Sequence, residues 1–123
     1  MRRVLITGSR TWTDHEYIFS VLKLELERRG PFILVSGNCP TGADHMAEVA
    51  AMQLGQEIEK HPAVWEQHGK RAGFVRNAEM VKLGAERCHA FIFEDSKGAT
   101  MTAKLAEKYG ILTIIHRKEA ERE

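Results

Sequence analysis

Three stretches of this 123-residue chain combine glycine with hydroxyl and basic residues, the types that hold phosphate and sugar oxygens. The first is Thr7-Gly8-Ser9-Arg10-Thr11-Trp12. Gly8 permits a close backbone approach, Ser9 and Thr11 bring hydroxyls, and Arg10 brings a forked cation suited to phosphate. A plain strand-to-helix turn with a surface arginine is the other reading. The second stretch is Ser36-Gly37-Asn38-Cys39-Pro40-Thr41-Gly42-Ala43-Asp44. Here Thr41 can cap a helix and touch a ligand oxygen, and Ala43 allows a tightly packed first turn. Free N–H groups at such a helix start form an anion site. Asp44 is either a partner for the helix dipole or an acceptor for ribose hydroxyls. The third stretch, Glu94-Asp95-Ser96-Lys97-Gly98-Ala99-Thr100, again opens a helix with small and hydroxyl residues, now with a lysine.

Two further segments add to these. Trp65, after His61-Pro62-Ala63-Val64, either stacks on a base or caps the core. Arg76 and Asn77 either reach the site from a helix start or lie on a solvated face. None of the loops is a Walker-type P-loop or a GxGxxG fingerprint. The six histidines, His15, His45, His61, His68, His89 and His116, show no zinc spacing and read as scattered surface residues. No metal site and no resident cofactor are expected. No G-x-S-x-G elbow is present, and Ser9 and Ser36 have no evident His/Asp partners.

The elements that must position these residues follow from hydrophobic periodicity. Val4-Leu5-Ile6, Phe32-Ile33-Leu34-Val35, Ala90-Phe91-Ile92-Phe93 and Ile111-Leu112-Thr113-Ile114-Ile115 are short apolar runs suited to strands covered on both faces. Glu57-Ile58-Glu59-Lys60 alternates like an edge strand. Between them lie amphipathic segments. Asp14 caps a helix to Arg29, with Ile18, Val21, Leu22 and Leu26 on one face and a stop at Gly30-Pro31. A second helix spans Thr41 to Leu54 and closes at Gly55. A third runs from about Lys70 to Ala85, with Phe74, Ala78, Val81 and Ala85 at helical spacing. A fourth runs from about Ala99 to Tyr109, with Thr102, Leu105, Ala106 and Tyr109 on one face. This β-α-β-α-β-α-β-α-β order predicts an α/β fold: a doubly wound, mainly parallel five-stranded sheet with helices on both faces. In such a sheet ligands bind beyond the carboxyl ends of the strands, where all three loops fall.

One domain over residues 1–116 accounts for the length, followed by a charged tail at 117–123 that reads as a frayed helix end or an oligomer contact. Eighteen basic against 17 acidic residues argue against a sequence-independent nucleic-acid coat. Two cysteines outside any CxxC pair suit a reducing compartment. No apolar stretch reaches the ~18 residues of a membrane span. A cytoplasmic location is therefore expected.

These motifs, with Pro62-Ala63, Trp65, Gly69, Ala72-Gly73, Arg76-Asn77 and Met80 between them, resemble the YspA/YpsA-related branch of the SLOG superfamily over roughly residues 3 to 115. The resemblance implies a Rossmann-like fold that binds nucleotides or their derivatives. It implies ligand contacts at Gly8, Ser9, Arg10, Thr11, Trp12, Ser36, Gly37, Thr41, Gly42, Ala43, Asp44, Trp65, Arg76, Asn77, Ser96, Lys97, Gly98, Ala99 and Thr100. It also implies a homo-oligomer, dimer or tetramer, paired through helices beside the site. Relatives include LONELY GUY phosphoribohydrolases, DprA-type DNA-binding proteins and sensors of ADP-ribose-derived signals. Arg76 is similar to the arginine of the LONELY GUY enzymes and would be the catalytic residue of an enzyme. Their glutamate is missing: the corresponding place falls near Thr102, with no acid between Asp95 and Glu107. Carboxylates assist an oxocarbenium-like transition state, so without that acid cleavage would fall to Asp44, Glu79 or Glu94. Binding of an ADP-ribose-like or cyclic nucleotide signal by a stand-alone sensor or sequestering protein is the first expectation. Phosphoribohydrolase activity is the alternative, and nucleic acid is not an expected partner.

Overall fold

In the computed structural model, which describes residues 1–120, five parallel strands form one sheet in the order β3-β2-β1-β4-β5. The chain runs β1 (Arg2–Gly8), α1 (His15–Arg29), β2 (Phe32–Ser36), α2 (Gly42–Gln53) and β3 (Glu57–Lys60). It then passes through the short α3 (Trp65–His68) and a 3₁₀ turn (Gly69–Arg71) into α4 (Ala72–Leu83). β4 (Arg87–Phe93), α5 (Lys97–Lys108) and β5 (Leu112–Lys118) complete it. The sheet grows outward from β1 to β3, then returns to place β4 on the other side of β1. The expected doubly wound α/β fold is therefore present.

The two faces of the sheet bury different sets of residues because side chains alternate along each strand. Val4, Ile6, Phe32, Leu34 and Phe91 pack with Ile18 and Leu22 of α1 and Ala43, Ala47 and Ala50 of α2. Leu5, Val35 and Cys88 pack on the opposite face with Met80 and Val81 of α4 and Ala106 of α5. Ala90 and Ile92 meet Ala99 and Ala103 of α5. Asp14 caps α1 as expected, accepting from the Tyr17 N–H at 3.1 Å.

Several local expectations change. Phe74 and Tyr109 are exposed, because α4 turns Ala72, Arg76, Met80 and Val81 inward and α5 turns Ala99, Thr102, Ala103 and Ala106 inward. β5 is an edge strand with Leu112 and Ile115 exposed, so only its inner edge is paired. Arg117 and Lys118 continue β5 beside Ile92 and Phe93 rather than forming a frayed helix, so the boundary expected at 116 falls inside a strand. The end of the charged tail, residues 121–123, lies outside the described residues. His89 is buried and stacks against His116, so these two histidines are not scattered surface residues.

Candidate functional site

A cleft of about 690 Å³ opens where β1 and β4 end, at the point where the strand order reverses. One wall is the loop after β1, with Gly8, Ser9, Arg10 and Thr11. The facing wall is the loop after β4 and the first turn of α5, with Glu94, Asp95, Ser96, Gly98 and Ala99. Trp65, Lys70 and the inner side of α4 close the end. The long loop after β2 contributes only Cys39, and the first turn of α2 contributes Asp44.

Ser9 explains how the loops are held. Its hydroxyl accepts from the Phe93 N–H at 2.8 Å, and its own N–H donates to the Phe91 carbonyl at 2.9 Å. Its carbonyl accepts from the N–H of Trp12 and of Ala43. That last bond occupies an amide of the first turn of α2. Gly42, at φ +74°, lies against the same loop: a Cβ there would sit 2.4 Å from the Ser9 carbonyl oxygen and 2.5 Å from the Arg10 Cα. A Cβ on Gly8 would sit 2.4 Å from the Ala43 Cβ. The glycines of the first two loops thus let the loops dock on each other. The start of α2, expected as an open anion site, is turned against protein backbone.

The start of α5 is different. Ser96 stands at its N-cap and makes no side-chain cap. The first amides of a helix have no partner within it, and this end borders the cleft through Ser96, Gly98 and Ala99. Anion-binding capacity therefore lies between the α5 start and Arg10.

The inner wall carries a buried polar group. The Arg76 guanidinium, only 7% exposed, donates to the Gly37 carbonyl and to Asn77 Oδ1, and lies 3.9 Å from Cys39 Sγ. Asp44 is equally buried and accepts from the Cys39 N–H at 3.3 Å. A Cβ on Gly37 would sit 2.9 Å from both the Arg76 Cζ and Asp44 Oδ2, so the glycine makes room for that pair to lie side by side. Burial raises the Asp44 carboxyl above the usual carboxylate range, against the backbone bond from Cys39 and the charge of Arg76. Burial, and then Asp44, raises the Cys39 thiol. At the mouth, Arg10 stands over the Trp65 ring, 6.0 Å from its centroid, and Trp65 and Phe74 are both half exposed.

Of the residues expected here, Gly8, Ser9, Arg10, Thr11, Asp44, Trp65, Arg76, Asn77, Ser96, Gly98 and Ala99 line the cleft. The others do not. Trp12 is buried, donates to the Asp14 carbonyl and packs edge-on against Phe91. Ser36 is buried and donates to Glu48. Gly37, Gly42 and Ala43 serve loop packing, and Thr41 is exposed at the α2 N-cap with no side-chain bond. Lys97 is exposed on the outer side of the α5 start, and the Thr100 hydroxyl bonds back to the Ser96 carbonyl. Trp65 is not a core cap and Arg76 is not on a solvated face. Missed lining residues include Cys39, Lys70, Phe74 and Asp95. Glu94, named above only as an acid for cleavage, also lines the cleft and has a left-handed φ of 55°. Glu79 is exposed away from the cleft lining, so of the three acids named for cleavage only Asp44 and Glu94 face it. Among the described residues no group of three His, Cys, Asp or Glu side chains is placed to hold a metal ion.

A parallel sheet with a mixed-charge cleft at its switch point defines a Rossmann-like α/β protein built to hold a small polar ligand. Residues 2–68 match the family described as YAcAr, the YspA, cpYpsA-related SLOG family. The chain is also 43% identical over 119 residues to the Gene 61 protein of Mycobacterium phage D29, covering 93% of this chain and 95% of that protein. The chain belongs to the YspA, cpYpsA-related SLOG family. Membership points to the binding or processing of a nucleotide derivative. No solved structure matches it. No described helix is long and apolar enough to cross a membrane.

Proposed function

We propose that this protein binds an ADP-ribose-like or cyclic nucleotide ligand in the cleft and acts as a stand-alone sensor or sequestering protein, working as a dimer or tetramer. The observation that carries the reading is an open helix start on one wall of the cleft, with Arg10 and the half-exposed Trp65 side by side at its mouth. Phosphate oxygens would meet the α5 amides and Arg10. A base would stack on Trp65. Ribose hydroxyls would fall between Asp44 and Asn77. At Thr102, the place of the missing glutamate, the hydroxyl bonds to the Gly98 carbonyl at 2.9 Å and the residue is buried. That favours binding over turnover.

Phosphoribohydrolase activity has one observation in its favour. Asp44 is a buried carboxyl, raised towards protonation, beside Arg76 in the cleft. That is the environment of a general acid. One experiment separates the two. The purified protein is incubated with ADP-ribose, cyclic nucleotides and nucleoside monophosphates, then denatured and analysed by mass spectrometry. Intact ligand, with affinity lost in Arg76→Ala, supports binding. Catalytic release of base, abolished in both Arg76→Ala and Asp44→Asn, replaces it with hydrolysis. No affinity for any of these ligands refutes both. Light scattering of the purified protein tests the oligomer, and a monomer at working concentration refutes that part.

A further inference from the structure

A second cleft lies on the α1 side of the sheet, between the second half of α1 and the strands β4 and β5. It is lined by Val21, Leu24, Glu25, Arg28, Arg29, Arg87, His89 and His116 and measures about 190 Å³. That is below the ~300 Å³ at which pockets for drug-sized ligands begin. It is room for roughly six waters. Three arginines face one carboxylate there. The carboxylate is already engaged: Glu25 accepts from His89 Nε2 at 2.8 Å and from Arg2 Nη1 at 3.1 Å.

Arg28 and Arg29 alone would say little, because cations in the last turn of a helix complement its carbonyl end. Arg87 is different. Its side chain is only 15% exposed, yet its one ion-pair partner among the described residues is Glu25, with Nε 3.7 Å from Oε1. It donates no side-chain hydrogen bond among the described residues, although a guanidinium offers five donors. Its unused donors are not sealed in protein but open to solvent, at a cleft that two further arginines border, and are free to take an anion there. Beside it, His89 Nδ1 lies 3.0 Å from His116 Nε2, and His116 Nδ1 lies 2.7 Å from the Tyr17 hydroxyl. One set of neutral tautomers satisfies this chain, each group donating toward Glu25. The cleft's positive excess already stands with the arginines, three against one carboxylate.

We propose that this cleft is a second binding site, for a phosphate-type oxyanion, held by Arg87, Arg28 and Arg29. It is independent of the nucleotide reading. It flanks the first half of β4, whereas the large cleft lies beyond the carboxyl ends of the strands. An oxyanion here would also favour the protonated form of His116, through the attraction of opposite charges.

The test is a titration with inorganic phosphate against sodium chloride at matched ionic strength, reading the ring signals of His89 and His116 by NMR. Saturable shifts with phosphate, and an upward move of the His116 titration midpoint, are expected. Arg28→Ala/Arg29→Ala changes only exposed residues and should weaken the response roughly tenfold, as lost charge-assisted bonds require. Arg87→Gln should do at least as much, with its fold checked by circular dichroism. Arg76→Ala, in the large cleft, should leave the histidine response in place. Equal shifts in chloride, or an undiminished response in the arginine variants, would overturn the site. So would loss of the response in Arg76→Ala.

Discussion

Replacing Glu25 with glutamine removes one charge from the centre of the buried cluster and keeps its shape. Burial opposes ionisation of Glu25, but hydrogen bonds from His89 and Arg2 outweigh it and hold the carboxyl at about 2, against an ordinary 4.5. That displacement corresponds to about 3 kcal/mol of stability. A carboxyl with a depressed pKa contributes fully above its unfolded value, and the contribution is lost as pH falls through the folded one. Glu25→Gln should therefore cost about 3 kcal/mol at pH 7, a lowering of Tm by roughly 10 °C. Removing one partner of a buried pair costs a similar ~3–5 kcal/mol, because the other charge is left without compensation. Here Arg2 keeps its pair with Glu86 at 3.1 Å, so the cost falls at the low end of that range, with Arg87 the cation that loses its carboxylate. Urea denaturation of both proteins at pH 7, 5 and 3 measures the gap, which should be full at pH 7 and 5 and visibly narrower at pH 3. A cost under ~1 kcal/mol at pH 7 would refute the reasoning. So would a gap that stays constant on acidification.

Other expectations follow from the same geometry. Burial, and then His89, lowers His116 to about 4. A histidine held below its unfolded value costs stability as pH falls from 6.5 towards 4, so His116→Phe should show a flatter dependence of the urea midpoint over that window than the wild type. Gly8→Ala would drive its Cβ against Ala43 and the Phe91 carbonyl. It should destabilise by about 1–3 kcal/mol, read by the same denaturation. Gly42→Val combines the Ser9 and Arg10 contacts with a left-handed φ. It should therefore lower Tm as well as ligand affinity, and an unchanged Tm would contradict the docking of the two loops. Trp12→Ala, in the core, should cost ~3–5 kcal/mol. Trp65→Ala should leave Tm nearly unchanged but abolish the fluorescence response to ligand.

Much of the fold was legible because the strands are continuous apolar runs and the helices begin and end on strong punctuation. Asp14, Gly30 and Gly55 act through local backbone chemistry, which needs no knowledge of neighbours. Local pattern failed where spacing fits more than one face. Phe74, Ala78, Val81 and Ala85 share a helical stripe, yet α4 buries Arg76 and Met80 because the cleft lies on that side. The short α3 and its 3₁₀ turn had no periodic signal, being too short to show one. Among site residues, Arg10, Asp44, Trp65 and Arg76 were reached from residue type and position after a strand. Cys39 and Phe74 were not, because neither type signals a site without its neighbours in space.

By itself the sequence determined that glycine-rich loops follow the strands of a parallel sheet, and hence that a ligand cleft stands at one edge. Strand runs, caps and turn residues encode that locally. Which helix start stays open was a tertiary matter. The loop after β2 is the richer in glycine, but its Gly42 and Ala43 close on Ser9, while the plainer start of α5 is left facing the cleft. Residue types report what a loop is able to bind. Whether its amides are free depends on which backbone packs against them, and that is settled only when β1, α2 and β4 come together. The gathering of Glu25, His89, His116 and Arg87 has the same cause: residues up to 91 positions apart meet because β4 returns beside β1.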